Sequence, residues 1–115
     1  MRPAYLAIDP QALLDASEGD VALFRSLSCI FLDAAPAAFD RMAQAGRSNA
    51  AFIAASHSLR GMTALVGADA LTAQLADLEL QAREGSCPAA SALEPVRALL
   101  ALACAEVRRS IDAAS

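Results

Sequence analysis

Leucine and alanine recur at spacings of three and four residues along most of this 115-residue chain. Such spacing places apolar side chains on one side of an α-helix. Aromatic residues make up only 4% of the chain, tryptophan is absent, and β-branched residues are too sparse for the alternating runs that strands require. A chain of this length can bury one modest core. The sequence therefore predicts a single all-α domain spanning residues 1–115.

Capping residues divide the periodic pattern into five predicted helices. Their expected bounds are Asp9-Pro10 to about Ser17, Asp20 to about Gly46 with a kink at Pro36, Ser48 or Asn49 to Val66 with Gly67 as the stop, Asp69 to Gly85, and Ser91 onward, where Ser91 and Glu94 have the spacing of a capping box.

Each of the four longer predicted helices has one apolar stripe. The stripes are Leu23, Leu27, Ile30, Ala34, Ala38 and Met42; Phe52, Ala55, Leu59, Met62 and Val66; Leu71, Leu75, Leu78 and Ala82; and Val96, Leu100, Ala103, Val107 and Ile111. Four amphipathic helices with short connections are typical of an antiparallel four-helix bundle. We expect the short first helix to pack across one end of it.

Charge and cysteine content exclude several classes of function. The net charge is −4 and the nine basic residues, all arginine, form no stripe, so we expect no nucleic-acid partner and no polybasic membrane anchor. Three widely spaced cysteines without a CxxC pair predict reduced thiols rather than a metal site. The first residues are too short an apolar run for a signal peptide, and no segment has about 20 uninterrupted apolar residues. We therefore expect a cytoplasmic protein.

His57 is the single histidine of the chain, and it lies in the third predicted helix. On a helical wheel it falls about 180° from the centre of the apolar stripe, so it is predicted to face outward. An ordinary exposed histidine remains an alternative on this evidence alone. Ser58 lies off this outer face, and no nucleophile-elbow motif is present, so a hydrolase site is not supported.

The outer face around His57 lacks the glutamates and lysines that a solvated helix normally carries. It is formed by Ala50, Ile53, Ala54, Arg60, Gly61 and Ala64. Gly61 lies in mid-helix, where glycine costs on the order of 1 kcal/mol relative to alanine, which suggests that another molecule approaches here. Arg60, three residues after His57, is placed to offset the charge of a phosphoryl group on the ring. This face is predicted to be a docking surface.

These residues carry a resemblance to a known family. The run His57-Ser58-Leu59-Arg60-Gly61, followed by Gly67, Leu71, Leu78-Glu79 and Gly85, resembles the histidine-containing phosphotransfer (HPt) domain family. The family's core motif is histidine, any residue, a hydrophobic residue, a basic residue and glycine, and this sequence departs only by having arginine where lysine is commoner. The segment from Leu23 to Pro36 is similar to the family's long second helix with its internal proline.

The resemblance implies that His57 accepts a phosphoryl group and passes it between aspartates of receiver domains. It also implies that Glu79 accepts a hydrogen bond from the Nδ1–H group of the imidazole, which leaves Nε2 as the nucleophile. The implied partners are response-regulator receiver domains, a hybrid histidine kinase, or both. The chain itself would need no cofactor, because magnesium belongs to the receiver. It would be a monomeric phosphocarrier rather than an autonomous enzyme.

Two other functions stay open at the level of sequence. The chain is also similar to the phosphoacceptor domain of a chemotaxis-type histidine kinase, in which a glutamate at the position of Glu79 is familiar. A non-phosphorylated helical adaptor would use the same apolar face only for binding. The dimerising domain of a kinase is disfavoured, because it resembles a two-helix hairpin with glutamate directly after the histidine, whereas Ser58 follows here.

Overall fold

The structure, a computed structural model, describes residues 5–114 and has no strand in that range. Its helices are α1 (Pro10–Ala16), α2 (Val21–Ala43), α3 (Asn49–Leu65), α4 (Asp69–Arg83) and α5 (Glu94–Ala113), with a short 3₁₀ helix at Ala90–Leu93. The predicted all-α class is confirmed. Residues 1–4 and Ser115, which belong to the predicted domain, lie outside the described residues.

Side-chain caps start the first three helices. Asp9, Asp20 and Ser48 accept hydrogen bonds at 3.0, 3.1 and 3.2 Å from the backbone N–H groups of Gln11, Leu23 and Ala51. The capping box predicted at Ser91 is wrong. Ser91 lies inside the 3₁₀ helix, and α5 starts only at Glu94, with no side-chain hydrogen bond at its cap.

The long helices pack in a cyclic order: α3 lies between α2 and α4, and α5 contacts both α2 and α4. The buried stripe of α4 is as predicted, and those of α3 and α5 are also confirmed except for half-buried Met62 and Ile111. The predicted stripe of α2 is wrong in its first half, since Leu23 and Ile30 are exposed. The helix instead buries Phe24, Ser28, Phe31, Ala35, Ala38, Phe39 and Met42.

α2 is long and apolar enough, by length and composition alone, to cross a membrane. The mean hydropathy of its most apolar 18-residue window is 1.4, although the charged residues Arg25 and Asp33 interrupt the apolar run. The core helix of a soluble protein passes the same test. Here α2 buries three phenylalanines, and Pro36 lies within it without ending it.

A buried carboxylate anchors the segment that precedes α1. Glu106 of α5 is only 1% exposed, and its Oε1 accepts backbone N–H hydrogen bonds from Ala7 at 2.8 Å and Ile8 at 3.2 Å. The N–H group of Leu6 lies at 2.9 and 3.0 Å from the two carboxylate oxygens. These hydrogen bonds tie the start of the described chain to the last helix.

Candidate functional site

The candidate site lies where α3 and α4 run side by side. The turn between them contains Gly67 at φ +70°, where a Cβ atom would lie 2.7 Å from the Cβ atom of Asp9. The hydroxyl groups of Thr63 and Thr72 are hydrogen-bonded at 2.8 Å across the two helices. His57 lies about two turns before Thr63, and Glu79 lies about two turns after Thr72, so the antiparallel register brings both to the same level.

His57 faces outward, as predicted. Its side chain is 65% exposed, and its Nδ1 atom lies 3.4 Å from Oε1 of Glu79. The opposite face of α3 is buried at Phe52, Ala55 and Leu59. The ring therefore has one nitrogen directed at a carboxylate and most of its surface open to an approaching molecule.

Glu79 is more buried than its position on the α4 wheel predicts, with only 7% of its side chain exposed. Two guanidinium groups reach it from the two helices. Nη2 of Arg60 lies 3.3 Å from Oε1 and 3.4 Å from Oε2, and Nε of Arg83 donates a hydrogen bond to Oε2 at 3.0 Å. One carboxylate is thus shared among His57, Arg60 and Arg83.

The ionisation of Glu79 reflects a competition between burial and these cations. Burial by itself raises the pKa of the carboxyl group, because it disfavours the charged form. The hydrogen bond from Arg83 and the charges of Arg60, Arg83 and His57 oppose this effect, and together they hold the pKa of Glu79 below its ordinary value of 4.5. The carboxylate is therefore ionised at neutral pH and available as an acceptor.

The two oxygens of Glu79 are not equally satisfied. Oε2 accepts hydrogen bonds from Arg60 and Arg83, whereas the buried Oε1 atom accepts none from the described residues. The nearest polar hydrogens belong to Arg60 and, when Nδ1 is protonated, to His57. A small rotation of the ring would let a proton on Nδ1 satisfy this oxygen.

Arg60 competes for the same nitrogen of the ring. Its Nη2 atom lies 3.1 Å from Nδ1 of His57, and since a guanidinium can only donate, this contact requires a lone pair on Nδ1. The proton of the neutral ring would then be on Nε2. A nucleophilic Nε2 needs the other tautomer, in which Nδ1–H points to Glu79 and Arg60 has moved away.

The residues predicted to form the docking surface lie on the outside of the molecule. Ala50, Ala54, Gly61 and Ala64 are exposed, and Ile53 is half-buried. A Cβ atom at Gly61 would meet nothing within 4 Å, so packing inside this chain does not require glycine there.

Sequence reasoning missed Arg83, although its spacing of four residues from Glu79 on one helix signals a possible ion pair. It also missed an apolar groove between α2 and α3, which is lined by Leu27, Ile30, Phe31, Met62 and Leu65. Ile30 and Leu65 are exposed there. Ile30 is expected in the core because it continues the spacing of Leu23 and Leu27, whereas Leu65 belongs to none of the predicted stripes.

The chemistry available at this site is that of one exposed imidazole, one buried carboxylate and two guanidinium groups. Within residues 5–114, no group of three histidine, cysteine, aspartate or glutamate side chains is arranged to hold a metal ion. Comparison of the chain with protein-family models, with curated proteins and with solved structures found no match in any of the three.

Proposed function

We propose that this chain is a histidine phosphotransfer protein of a two-component phosphorelay, and that His57 carries the phosphoryl group between aspartates of response-regulator receiver domains. In this proposal the four long helices form the antiparallel bundle of the HPt family. The chain acts as a cytoplasmic, monomeric phosphocarrier, with no membrane or nucleic-acid partner and no cofactor of its own.

One observation carries the proposal: the outward-facing ring of His57 has Nδ1 beside the buried carboxylate of Glu79. An exposed histidine without a function has no need of such a partner, because water satisfies both of its nitrogens. Once Arg60 has moved away from Nδ1, the buried carboxylate favours the tautomer that leaves Nε2 unprotonated. It also stabilises the positive charge that develops on the ring when Nε2 forms a bond.

The reaction follows from these positions. Nε2 of His57 attacks the phosphorus of a receiver's aspartyl phosphate in line, a P–N bond forms, and the P–O bond to the aspartate breaks with release of its carboxylate. The proton on Nδ1 stays on the ring and faces Glu79. In the second half, the aspartate of another receiver attacks the phosphorus and His57 leaves as the neutral imidazole. Arg60 offsets the charge of the phosphoryl group, and the receiver supplies magnesium.

The surface around His57 suits the approach of a folded domain. Ala50, Ala54, Gly61 and Ala64 carry small or no side chains, so a partner can come close to the helix backbone. Exposed Ile30 and Leu65 extend the apolar surface from α3 towards α2. Small residues next to the reacting ring and larger apolar residues beside them would give a receiver both access and contact area.

A second candidate within the same chemistry is the phosphoacceptor domain of a chemotaxis-type histidine kinase. The position of Glu79 favours it as well, because a glutamate next to the phosphoacceptor histidine is familiar there. The donor would then be an ATP-dependent kinase rather than a receiver. A non-phosphorylated adaptor needs neither the contact between His57 and Glu79 nor a cation beside it.

The experiment that separates these functions is transfer of labelled phosphate to the purified chain. Each member of a panel of receiver domains, phosphorylated on aspartate, is incubated with the wild type and with His57→Gln, and acid-labile, base-stable label on this chain is measured. In a second arm, chemotaxis-type kinases with labelled ATP replace the receivers. A phosphorelay protein takes label from at least one receiver through His57. A kinase phosphoacceptor domain takes it only from a kinase with ATP, and an adaptor takes none from either.

A further inference from the structure

Arg83 makes the shortest contact to Glu79, yet it does not reach His57. Its Nε–H group donates to Oε2 at 3.0 Å, whereas the hydrogen bond from Arg60 to the same oxygen is 3.4 Å long. Arg83 and Glu79 are four residues apart on α4, so their pairing does not depend on side chains of α3. The pair can therefore stay formed when a side chain on α3 moves.

Arg60, in contrast, has three acceptors within reach and must leave all of them to pair with a phosphoryl group on Nε2. It lies 3.1 Å from Nδ1 of His57 and 3.3–3.4 Å from the two oxygens of Glu79. A contact with Nδ1 holds the ring in the tautomer that has no lone pair on Nε2. Its departure towards a phosphoryl group therefore frees Nδ1, but it also removes one of the two guanidinium groups from Glu79.

A buried carboxylate with no cation beside it would take up a proton or turn towards solvent. Either change would remove the acceptor for Nδ1–H at the moment when it is needed. The cluster avoids this by having two guanidinium groups for one carboxylate, which gives it one surplus positive charge while His57 is neutral. Arg60 can leave Glu79 and pair with a phosphoryl dianion only if Arg83 stays beside the carboxylate.

We propose that Arg83 is a positioning residue for phosphoryl transfer: it holds Glu79 through Oε2, so that Oε1 stays directed at His57 while Arg60 exchanges the carboxylate for the incoming phosphoryl group. This inference rests on the proposed function of His57. Arg83 touches neither the ring nor the phosphoryl group, and it acts through Glu79 alone.

The test uses phosphoramidate, a small phosphoryl donor that needs no partner protein. Nε2 attacks its phosphorus, the P–N bond of the donor breaks, and ammonia leaves. Initial rates of acid-labile phosphate incorporation are measured for wild type, Arg83→Gln, Arg83→Lys, Glu79→Ala, and Arg83→Gln combined with Glu79→Ala. Arg97→Gln is the matched control, since Arg97 is as exposed as Arg83 (56% against 54%) and also pairs with a glutamate on its own helix.

The proposal predicts that Arg83→Gln slows incorporation by roughly tenfold, the size of effect seen when a group that orients a reacting residue is lost. Arg83→Lys restores most of the rate, and Arg97→Gln has the rate of the wild type. In the Glu79→Ala background, Arg83→Gln has no further effect, because the residue through which it acts is gone.

Two results would overturn the proposal. One is an equal rate for Arg83→Gln and Arg97→Gln. The other is a loss of the same size with and without Glu79, which would mean that Arg83 only attracts the anionic donor. Failure of the proposed function gives a different result: no phosphorylated receiver domain passes label to the wild type, whatever the rates with phosphoramidate, and the role of Arg83 in a phosphorelay falls with that of His57.

Discussion

Two glutamates are buried among residues 5–114, and their partners differ in kind. Glu106 accepts hydrogen bonds from the backbone N–H groups of Leu6, Ala7 and Ile8, and the guanidinium of Arg109 lies farther away, 3.8 Å from its Oε2 atom. Glu79 is held by side chains that can rotate, and its Oε1 atom has no hydrogen bond from the described residues. A buried carboxylate held mainly by backbone donors stabilises a fold, whereas one held by side-chain cations, with an oxygen that accepts no hydrogen bond, is suited to a reaction.

The largest expected effect on stability is at Glu106. Glu106→Ala removes the acceptor of several backbone N–H groups, two of them on buried residues, and we expect it to lower the free energy of unfolding by about 3 kcal/mol. Chemical denaturation followed by circular dichroism measures this. Glu94→Ala is the control on the same helix, because Glu94 is 69% exposed and should change stability by less than about 0.5 kcal/mol. Equal effects of the two substitutions would contradict the structural role of Glu106.

Gly61→Leu tests the surface next to the reactive ring. The added side chain points into open space, so the helix should gain up to about 1 kcal/mol in stability from the loss of a mid-helix glycine. Transfer from a phosphorylated receiver should nevertheless be blocked, because the leucine occupies the path of the docking domain. Phosphorylation by phosphoramidate should continue. Normal transfer from a receiver to the folded variant would remove the argument that Gly61 permits close approach.

Glu79→Ala tests whether Glu79 serves the reaction rather than the stability of the fold, in contrast to Glu106. We expect phosphorylation of His57 to slow by roughly tenfold without being abolished, because the ring stays exposed and loses only its orientation. Stability should change by about 1 kcal/mol or less, since the desolvation of the carboxylate disappears together with its ion pairs. The rate is measured with phosphoramidate and the stability by denaturation. A loss of stability as large as that of Glu106→Ala would make Glu79 a structural residue instead.

The smallest expected effect is on the pH dependence of stability. The pKa of Glu79 is lowered in the folded state, so the unfolded chain binds its proton more readily. The resulting stabilisation is complete above pH 4.5 and is lost as the pH falls from there through the folded-state value. Glu79→Gln lacks this contribution, and the difference in stability between it and the wild type should therefore shrink on acidification below pH 4.5. The free energy of unfolding of both proteins is measured by denaturation at each pH. A difference between them that stays constant below pH 4.5 would contradict the lowered pKa of Glu79.

The fold class and the face of α3 could be predicted from the sequence because their signals are local. Phe52, Ala55 and Leu59 share a helix face with no competing apolar stripe of large side chains. In α2 Leu23 and Ile30 lie on one side and the phenylalanines on another, and periodicity alone does not tell which side is buried. The structure buries the phenylalanines and leaves Leu23 and Ile30 exposed.

The site could be predicted only in part for a similar reason. His57, Arg60 and Glu79 follow from a motif and from wheel positions, but the burial of Glu79 depends on how closely α4 packs on α3. The pairing of Glu106 with the backbone of residues 6–8 joins positions about 100 residues apart along the chain, and a carboxylate carries no local signal for such partners. Contacts within one helix, such as Glu79 with Arg83, were accessible in principle.

The most direct measurement is the fate of the label when a phosphorylated receiver domain is mixed with the chain. The account predicts that acid-labile, base-stable phosphate appears on the wild-type protein, that mass spectrometry locates it on His57, and that His57→Gln takes up none while keeping the same melting temperature, since its side chain is 65% exposed. If no receiver in the panel passes its phosphate to the wild type, or if label reaches His57→Gln equally well, His57 is not the carrier of a phosphorelay.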